Sequence, residues 1–345
     1  MAERALHAEH DLLLLDLDGV VYVGAGAVPG AVDALAAAVG AGAVTGFATN
    51  NASRTPAEVA AHLRSLGVAA TDPDVTTSSQ AAAALVREQL GDGVRVLPVG
   101  GPGVRAALLE AGLVPVGPGE EPQAVVQGFG RDLRWADLAD AAAAVRAGAL
   151  WVATNTDLTL PTERGPAPGN GSLVAAVRNA VDVDPLVAGK PEPGLFVAAA
   201  ARAGARSPLV VGDRLDTDIA GARRADMVGL LVLTGLTSPR QLVAAVPEHR
   251  PDHVSADLSG LLAPARSARP DAGEQVCGSA RARVRDGRLE ATWAPAGDRE
   301  DQVDLLRACC AAAWETAPAG AATVDLEPRL ARALDDLGDA CTGPA

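Results

Sequence analysis

Lysine is nearly missing from this 345-residue chain: among its 29 Lys and Arg, Lys190 is the single lysine. Aromatic residues make up 2%, methionine occurs twice, and the four cysteines include no Cys-x-x-Cys pair. The apolar runs "LLLL" and "GLLVLTGL" fall far short of the ~20 residues a membrane-spanning helix needs. The N-terminal "MAERALHAEHD" lacks a secretory-leader pattern.

Each absence removes a class of function. The formal net charge is −14, and the most basic stretch, "SARARVRDGR", is short and interrupted by Asp286. Nucleic acid binds to clustered positive charge, so no nucleic-acid partner is expected. Adjacent Cys309 and Cys310, with Cys277 and Cys341, suit neither a zinc knuckle nor a disulfide ladder, which points to free thiols in a reducing compartment. The expectation is a soluble cytoplasmic protein without a membrane partner. With 48% hydrophobic residues and few aromatics, a sizeable core must pack through Leu, Val and Ala.

What is present is an alternation of strands and helices. "LLLLDLD" reads as a buried parallel strand, "AVPGAVDALAAAVGAG" as a helix ended by glycine, and "AVTGFATNN" as a second buried strand. Thr55, Pro56 and Glu58 predict a capped helix start, and Gly67 its end. "SPLVVGDRLDTDIAGARRADMVGLLVLTG" repeats strand, polar loop, helix and strand. The fold class is therefore α/β: a Rossmann-like doubly wound parallel sheet, with chemistry at the carboxyl ends of its strands.

The expected core spans residues 1–80 and 185–262. Residues 81–184, with strands in "VRVLPVG", "AVVQGFG" and "ALWVATN", read as an inserted α/β domain. After a linker, "APARSARPDAGEQ", residues 263–345 read as a small α+β domain. It has a hairpin around Asp286-Gly287 and helices in "DREDQVDLLRACCAAAWETA" and "EPRLARALDDLGDAC".

Four stretches close predicted core strands: "DLDGVVY", "TNN", "GK" and "GDRLDTD". Period-two geometry turns Asp16 and Asp18 toward one side, and Asp213 ends another strand. Carboxylates this close repel each other unless a cation sits among them, and an all-oxygen donor set suits magnesium. One carboxylate can then attack phosphorus to form an aspartyl-phosphate, while its neighbour protonates the leaving alkoxide and activates water. Thr49 offers a hydroxyl, Asn50 its amide or backbone N–H, and Lys190 a compact positive charge where a planar guanidinium would crowd the site. Asp218 can accept backbone N–H groups or orient a metal-bound water, and Asp216 reads as a solvated loop residue.

In order and spacing these stretches resemble the four motifs of the haloacid dehalogenase superfamily, over about residues 11–262. The long insertion is similar to the large cap of the branch that holds p-nitrophenyl, phosphoglycolate and nucleotide phosphatases. The resemblance implies Asp16 as nucleophile and metal ligand, and Asp18 as general acid/base that lends its backbone carbonyl to the metal. It also implies Asp213 as a further ligand and Thr49, Asn50 and Lys190 as phosphate ligands. Asn155 and Asp157 of "ATNTDLTLPTERG" match the branch's "TNxD" stretch near the site entrance, and "GNGSLVAAV" resembles its glycine-rich cap segment. One departure is Gly130, where relatives carry an acidic residue after the aromatic. The layout looks like the actinobacterial glycerol-3-phosphate phosphatases, whose tail is acetyltransferase-like. Without a glycine-rich loop for coenzyme A, that tail is expected to be non-catalytic and to serve packing, dimerisation or regulation. The implied activity is magnesium-dependent hydrolysis of a small phosphate ester, glycerol 3-phosphate first. A phosphomutase and a non-catalytic metabolite sensor are the alternatives, and self-association through the cap or tail is the expected contact.

Overall fold

The computed structural model describes residues 4–160, 165–294 and 299–342. The chain gathers into two compact units, Met1–Thr45 with Ala205–Ala345, and Gly46–Gly204.

The first unit opens with β1 (Leu12–Leu15), buried at all four positions, as a strand covered on both faces should be. A short hairpin of β2 (Tyr22–Val23) and β3 (Gly26–Ala27) precedes α1 (Ala31–Gly40).

In the second unit, β4 (Thr45–Thr49), α2 (Pro56–Ser65) and β5 (Val75–Thr77) form a parallel crossover. The helix starts where its capping residues predict: Thr55 Oγ1 accepts the Glu58 N–H at 3.3 Å, and the Glu58 carboxylate accepts the Thr55 N–H at 2.8 Å. Thr77 and Gln80 cap α3 (Ser78–Leu90) in the same way. Next come β6 (Arg95–Val99), α4 (Pro102–Glu110), β7 (Val114–Pro115), β8 (Ala124–Gln127), α5 (Trp135–Arg146) and β9 (Leu150–Ala153). The antiparallel pair β10 (Thr159–Leu160) and β11 (Ala167–Pro168), α6 (Asn170–Val181), β12 (Leu186–Val187) and α7 (Gly194–Ala203) complete the unit. The three cap strands read from sequence are neighbours in one parallel sheet of order β12-β9-β8-β6-β7. Its core sets Leu97, Val125 and Trp151 of the sheet against Val145 of α5 and Val174 and Val177 of α6. Among the described residues of that core, Trp151 is the one aromatic.

The chain then returns to the first unit with β13 (Pro208–Gly212), α8 (Ala220–Arg224), β14 (Val228–Val232), α9 (Pro239–Val243) and β15 (His253–Ser255). Within this unit the strands run β15-β14-β13-β1, all parallel. The "GDRLDTD" loop differs from expectation, because Leu215–Ile219 closes a π-helical turn that runs directly into α8.

The C-terminal segment is an antiparallel meander of β16 (Arg269–Asp271), β17 (Glu274–Cys277), β18 (Ala280–Arg285) and β19 (Arg288–Thr292). Helix α10 (Arg299–Thr316) crosses over to β20 (Asp325–Leu326), which is parallel to β19, and α11 (Pro328–Thr342) ends the fold. Asp286 and Gly287 take φ of 50° and 76°, the backbone that a two-residue hairpin turn requires. Part of the expected linker is strand: β16 is exposed at every position, so no apolar alternation marked it. Asp298, expected to open α10, lies outside the described residues. One core joins Leu231 of β14, Leu242 of α9 and Val254 of β15 to Leu289, Leu306, Leu334 and Leu337 of the C-terminal segment. Among the described residues no helix is long and apolar enough to cross a membrane.

Candidate active site

In the first unit, register brings acidic groups together. Leu15 of β1 lies opposite Val211 of β13, so the residues just past both strand ends, Asp16 and Asp213, become neighbours. Asp218 joins them from the π-helical turn, and the three carboxylates offer oxygens within 4.8 Å of one another. Asp213 and Asp218 are 1% and 0% exposed and Asp16 is buried as well, so this charge is held where water does little to screen it.

Asp18 is exposed and is not one of that group. The strand ends at Leu15 and the chain bends, so period-two alternation no longer applies two residues beyond Asp16. Gly19 turns the corner at φ +82° and donates its N–H to Tyr22 O at 2.8 Å. Asp216 is exposed and paired with Arg214 at 2.8 Å.

Glycines let the backbone close around Asp213. A Cβ on Gly19 would lie 2.6 Å from Asp213 Oδ2, and one on Gly235 would collide with the same carboxylate. Asp213 Oδ2 accepts the Leu236 N–H at 2.7 Å, and Thr237 Oγ1 donates to Asp213 O at 2.6 Å. Thr234 Oγ1 donates to Gly19 O at 2.6 Å, which ties the same loop to the turn after β1. Sequence reading missed Thr234–Thr237. The signal available was small and hydroxyl residues at the end of the predicted strand "GLLVL".

The second unit gathers the other predicted residues around Asn50. Its Oδ1 accepts the Lys190 N–H at 2.8 Å, while its Nδ2 donates to Lys190 O and to Asp157 Oδ2, both at 3.1 Å. Asn155 Nδ2 and Ser78 Oγ both donate to Asn50 O at 2.7 Å. Thr49 is buried at the end of β4, and its Oγ1 accepts the Asn51 N–H at 3.1 Å. Lys190 is 3% exposed, with Nζ donating to Ala48 O at 3.3 Å and standing 6.0 Å from the Phe196 ring centroid. Ser78, like Ser79, which donates to Ala52 O at 2.9 Å, carried no motif signal.

The glycine-rich segment has a packing cause: a Cβ on Gly169 or Gly171 would strike the backbone of Thr156 and Asp157. Gly130 is explained too. A Cβ there would lie 2.8 Å from the Gly100 and Gly101 backbone, so no acidic side chain fits. A cavity of about 360 Å³ lined by Ser53, Gly100, Gly101, Arg131 and Asp132 lies by the carboxyl ends of β6 and β8 and touches none of the predicted site residues.

Three buried carboxylates in this glycine cradle fit a hard divalent cation, which takes oxygen donors and offsets their repulsion. Magnesium, a cation that takes oxygen donors, is the cofactor.

The chain is similar to known proteins over most of its length. Residues 13–114 match the haloacid dehalogenase-like hydrolase family, residues 187–261 the HAD-hydrolase-like family, and residues 277–338 a GCN5-related N-acetyltransferase-like domain. The chain is 52% identical to D-glycerol 3-phosphate phosphatase of Mycobacterium tuberculosis over 259 residues, 75% of this chain and 72% of that protein. It is 38% identical to 5′-nucleotidase YutF of Bacillus subtilis over 226 residues, 65% of this chain and 87% of that protein. The crystal structure of glycerol phosphate phosphatase from Mycobacterium tuberculosis in complex with magnesium superposes with a TM-score of 0.86 at 44% identity, covering 97% of this chain and 99% of that one. The 4-nitrophenylphosphatase of Thermotoga maritima gives 0.69 at 32% identity, covering 74% and 98%. Motif order, site geometry and these likenesses lead to one conclusion: the chain belongs to the haloacid dehalogenase-like hydrolase family and is an enzyme with a parallel-sheet core and an inserted cap.

Proposed function

We propose that the enzyme hydrolyses glycerol 3-phosphate to glycerol and phosphate through an aspartyl-phosphate on Asp16. The observation that carries this reading is the three-carboxylate group at the ends of β1 and β13. The substrate choice is supported by the 52% identity to a glycerol 3-phosphate phosphatase. In this reading residues 1–80 and 185–262 are the catalytic core, 81–184 the cap and 263–345 a non-catalytic tail. The four buried free thiols suit a cytoplasmic setting, and the substrate places the enzyme in glycerophospholipid metabolism.

Asp16 attacks the phosphorus atom, and the ester oxygen leaves with a proton from Asp18. Asp18 then takes a proton from water, which attacks the aspartyl-phosphate, releases phosphate and restores the Asp16 carboxylate. Asp16, Asp213 and the Asp18 carbonyl would hold magnesium, with Asp218 beside them. When bound, the ion neutralises charge on the phosphoryl oxygens.

Thr49 has its oxygen engaged by the Asn51 N–H, so its O–H remains to donate to a phosphoryl oxygen. Both amide protons of Asn50 are engaged with Asp157 and Lys190, so in this reading its backbone N–H makes the phosphate contact. Lys190 supplies the full positive charge.

The test is a screen of purified protein with magnesium against glycerol 3-phosphate, 2-phosphoglycolate, p-nitrophenyl phosphate and nucleoside monophosphates. Highest kcat/KM on the first, lost in Asp16→Asn with folding intact, is the expected result. Preference for another ester replaces the substrate and keeps the mechanism. Phosphoryl exchange without free phosphate points to a mutase, and binding without turnover to a sensor.

A further inference from the structure

We propose that the C-terminal segment is a positioning device for the Asp213 carboxylate, acting through α9 on the Thr234–Ser238 loop and thereby setting magnesium affinity. This rests on the reading of Asp213 as a metal ligand.

The loop is short and engaged at both ends. Its first half holds Asp213 through the Leu236 N–H and the Thr237 hydroxyl, and Gly235 lies against the carboxylate. Ser238 follows immediately and caps α9, with Ser238 N–H donating to Gln241 Oε1 at 2.8 Å. Any displacement of α9 along its axis therefore reaches Leu236 and Thr237 with no flexible residues between.

The C-terminal segment grips α9 from several directions. Arg240 donates to both carboxylate oxygens of Asp335 on α11, at 2.6 and 2.5 Å. Trp314 Nε1 of α10 donates to Leu242 O at 3.3 Å. Gly338 of α11 faces Pro239, and a Cβ there would sit 3.1 Å from the proline Cδ, so α11 packs on the first turn of α9 at backbone distance. Leu242 and Val243 share a core with Leu330, Leu334 and Leu337 of α11.

The π-helical turn on the other side of Asp213 leans on the same core, through Ile219 and Leu215. Both segments flanking the carboxylate are thus supported by a core whose other half is the C-terminal segment. A close-packed interior transmits a shift of a few tenths of an ångström rather than absorbing it, and partners that orient a metal ligand typically change affinity by about 10–100-fold when lost.

The experiment is calorimetric titration of magnesium into the metal-free full-length protein, with KM for glycerol 3-phosphate and thermal stability measured in parallel. Gly338→Leu should weaken magnesium binding about tenfold while KM changes less than about twofold. If Gly338→Leu does not fold, Asp335→Arg decides: it should weaken binding about threefold by setting like charges against each other, and the swapped pair Arg240→Asp with Asp335→Arg should restore it. Arg283→Ala, at an exposed position of β18 paired with Glu290 rather than with α9, should leave affinity unchanged. Folded variants with wild-type magnesium affinity, lower melting temperature alone, or no rescue by the swap would overturn the proposal. Asp213→Asn separates the two layers: if it binds magnesium normally, the metal-ligand reading itself fails.

Discussion

Asn50 and Lys190 stand 140 residues apart, yet one side-chain amide takes both backbone groups of the lysine: the N–H at Oδ1 and the C=O at Nδ2. This fixes the backbone from which the single lysine reaches inward, and Asp157 occupies the second amide proton. Asn50→Ala should lower kcat/KM by about 10²-fold and cost about 1–3 kcal/mol of stability through buried groups left unpaired. Asn50→Asp should be worse, because it sets a carboxylate against that of Asp157. Adding Asp157→Asn should recover part of the loss. Steady-state phosphate release and thermal melts of the three variants check this, and an Asn50→Asp enzyme as active as wild type would remove Asn50 from the assembly.

Gly235 offers a test at the carboxylate group. Its Cβ position coincides with the Asp213 side chain, so Gly235→Ala must displace either the carboxylate or the loop. Magnesium affinity should fall by about tenfold or more, read as a rise in the magnesium concentration for half-maximal activity, with kcat at saturating magnesium recovering most of its value. Unchanged magnesium dependence would show that the Asp213 carboxylate does not need its observed position.

Much of the fold was legible because its signals are local. A continuous apolar run marks β1 and β13, Thr55 and Glu58 mark the start of α2, and Asp286-Gly287 marks the β18–β19 turn; each signal lies within a few residues of what it specifies. The Thr234–Thr237 loop was not legible because its partners are distant: Thr234 bonds to Gly19, 215 residues away. The same holds for Ser78, whose hydroxyl meets Asn50 O across 28 residues. Strand β16 was hidden for a different reason, since an exposed edge strand needs no apolar face. Motif reading named Asn50 and Lys190 as members of one site, but their mutual bonds depend on folding and leave no trace in spacing.

The cysteines should be inert while the protein is folded. Burial pushes the Cys309 thiol up to about 12, and burial with its bond to Asp304 does the same for Cys277. Burial raises Cys341 to about 11 and Cys310 well above the usual range. The thiolate is the reactive form, so a disulfide-exchange reagent at about pH 8 should find no fast thiol in the native protein and four after denaturation in guanidinium. Rapid native labelling with the fold intact would contradict this packing.

His253 predicts a pH dependence of stability. Burial holds its pKa below the usual 6.5, assisted by His10 and Arg307 and opposed by Asp252 and Glu9. Between its folded value and 6.5 the unfolded chain binds a proton that the folded one does not, so stability rises with pH in that window. The contribution is fully present above 6.5 and is lost as the solution is acidified through the folded pKa. Asp11 and Glu58 stay out of the window. The backbone N–H of Arg206 and that of Thr55, respectively, hold their carboxyls below the usual carboxylate range. Urea midpoints from about pH 5 to 8 at fixed magnesium should therefore fall below pH 6.5 in the wild type, and the fall should be shallower in His253→Gln. Parallel slopes in the two proteins would mean that another group carries the acid sensitivity and that the imidazole is as well solvated in the folded chain as in the unfolded one.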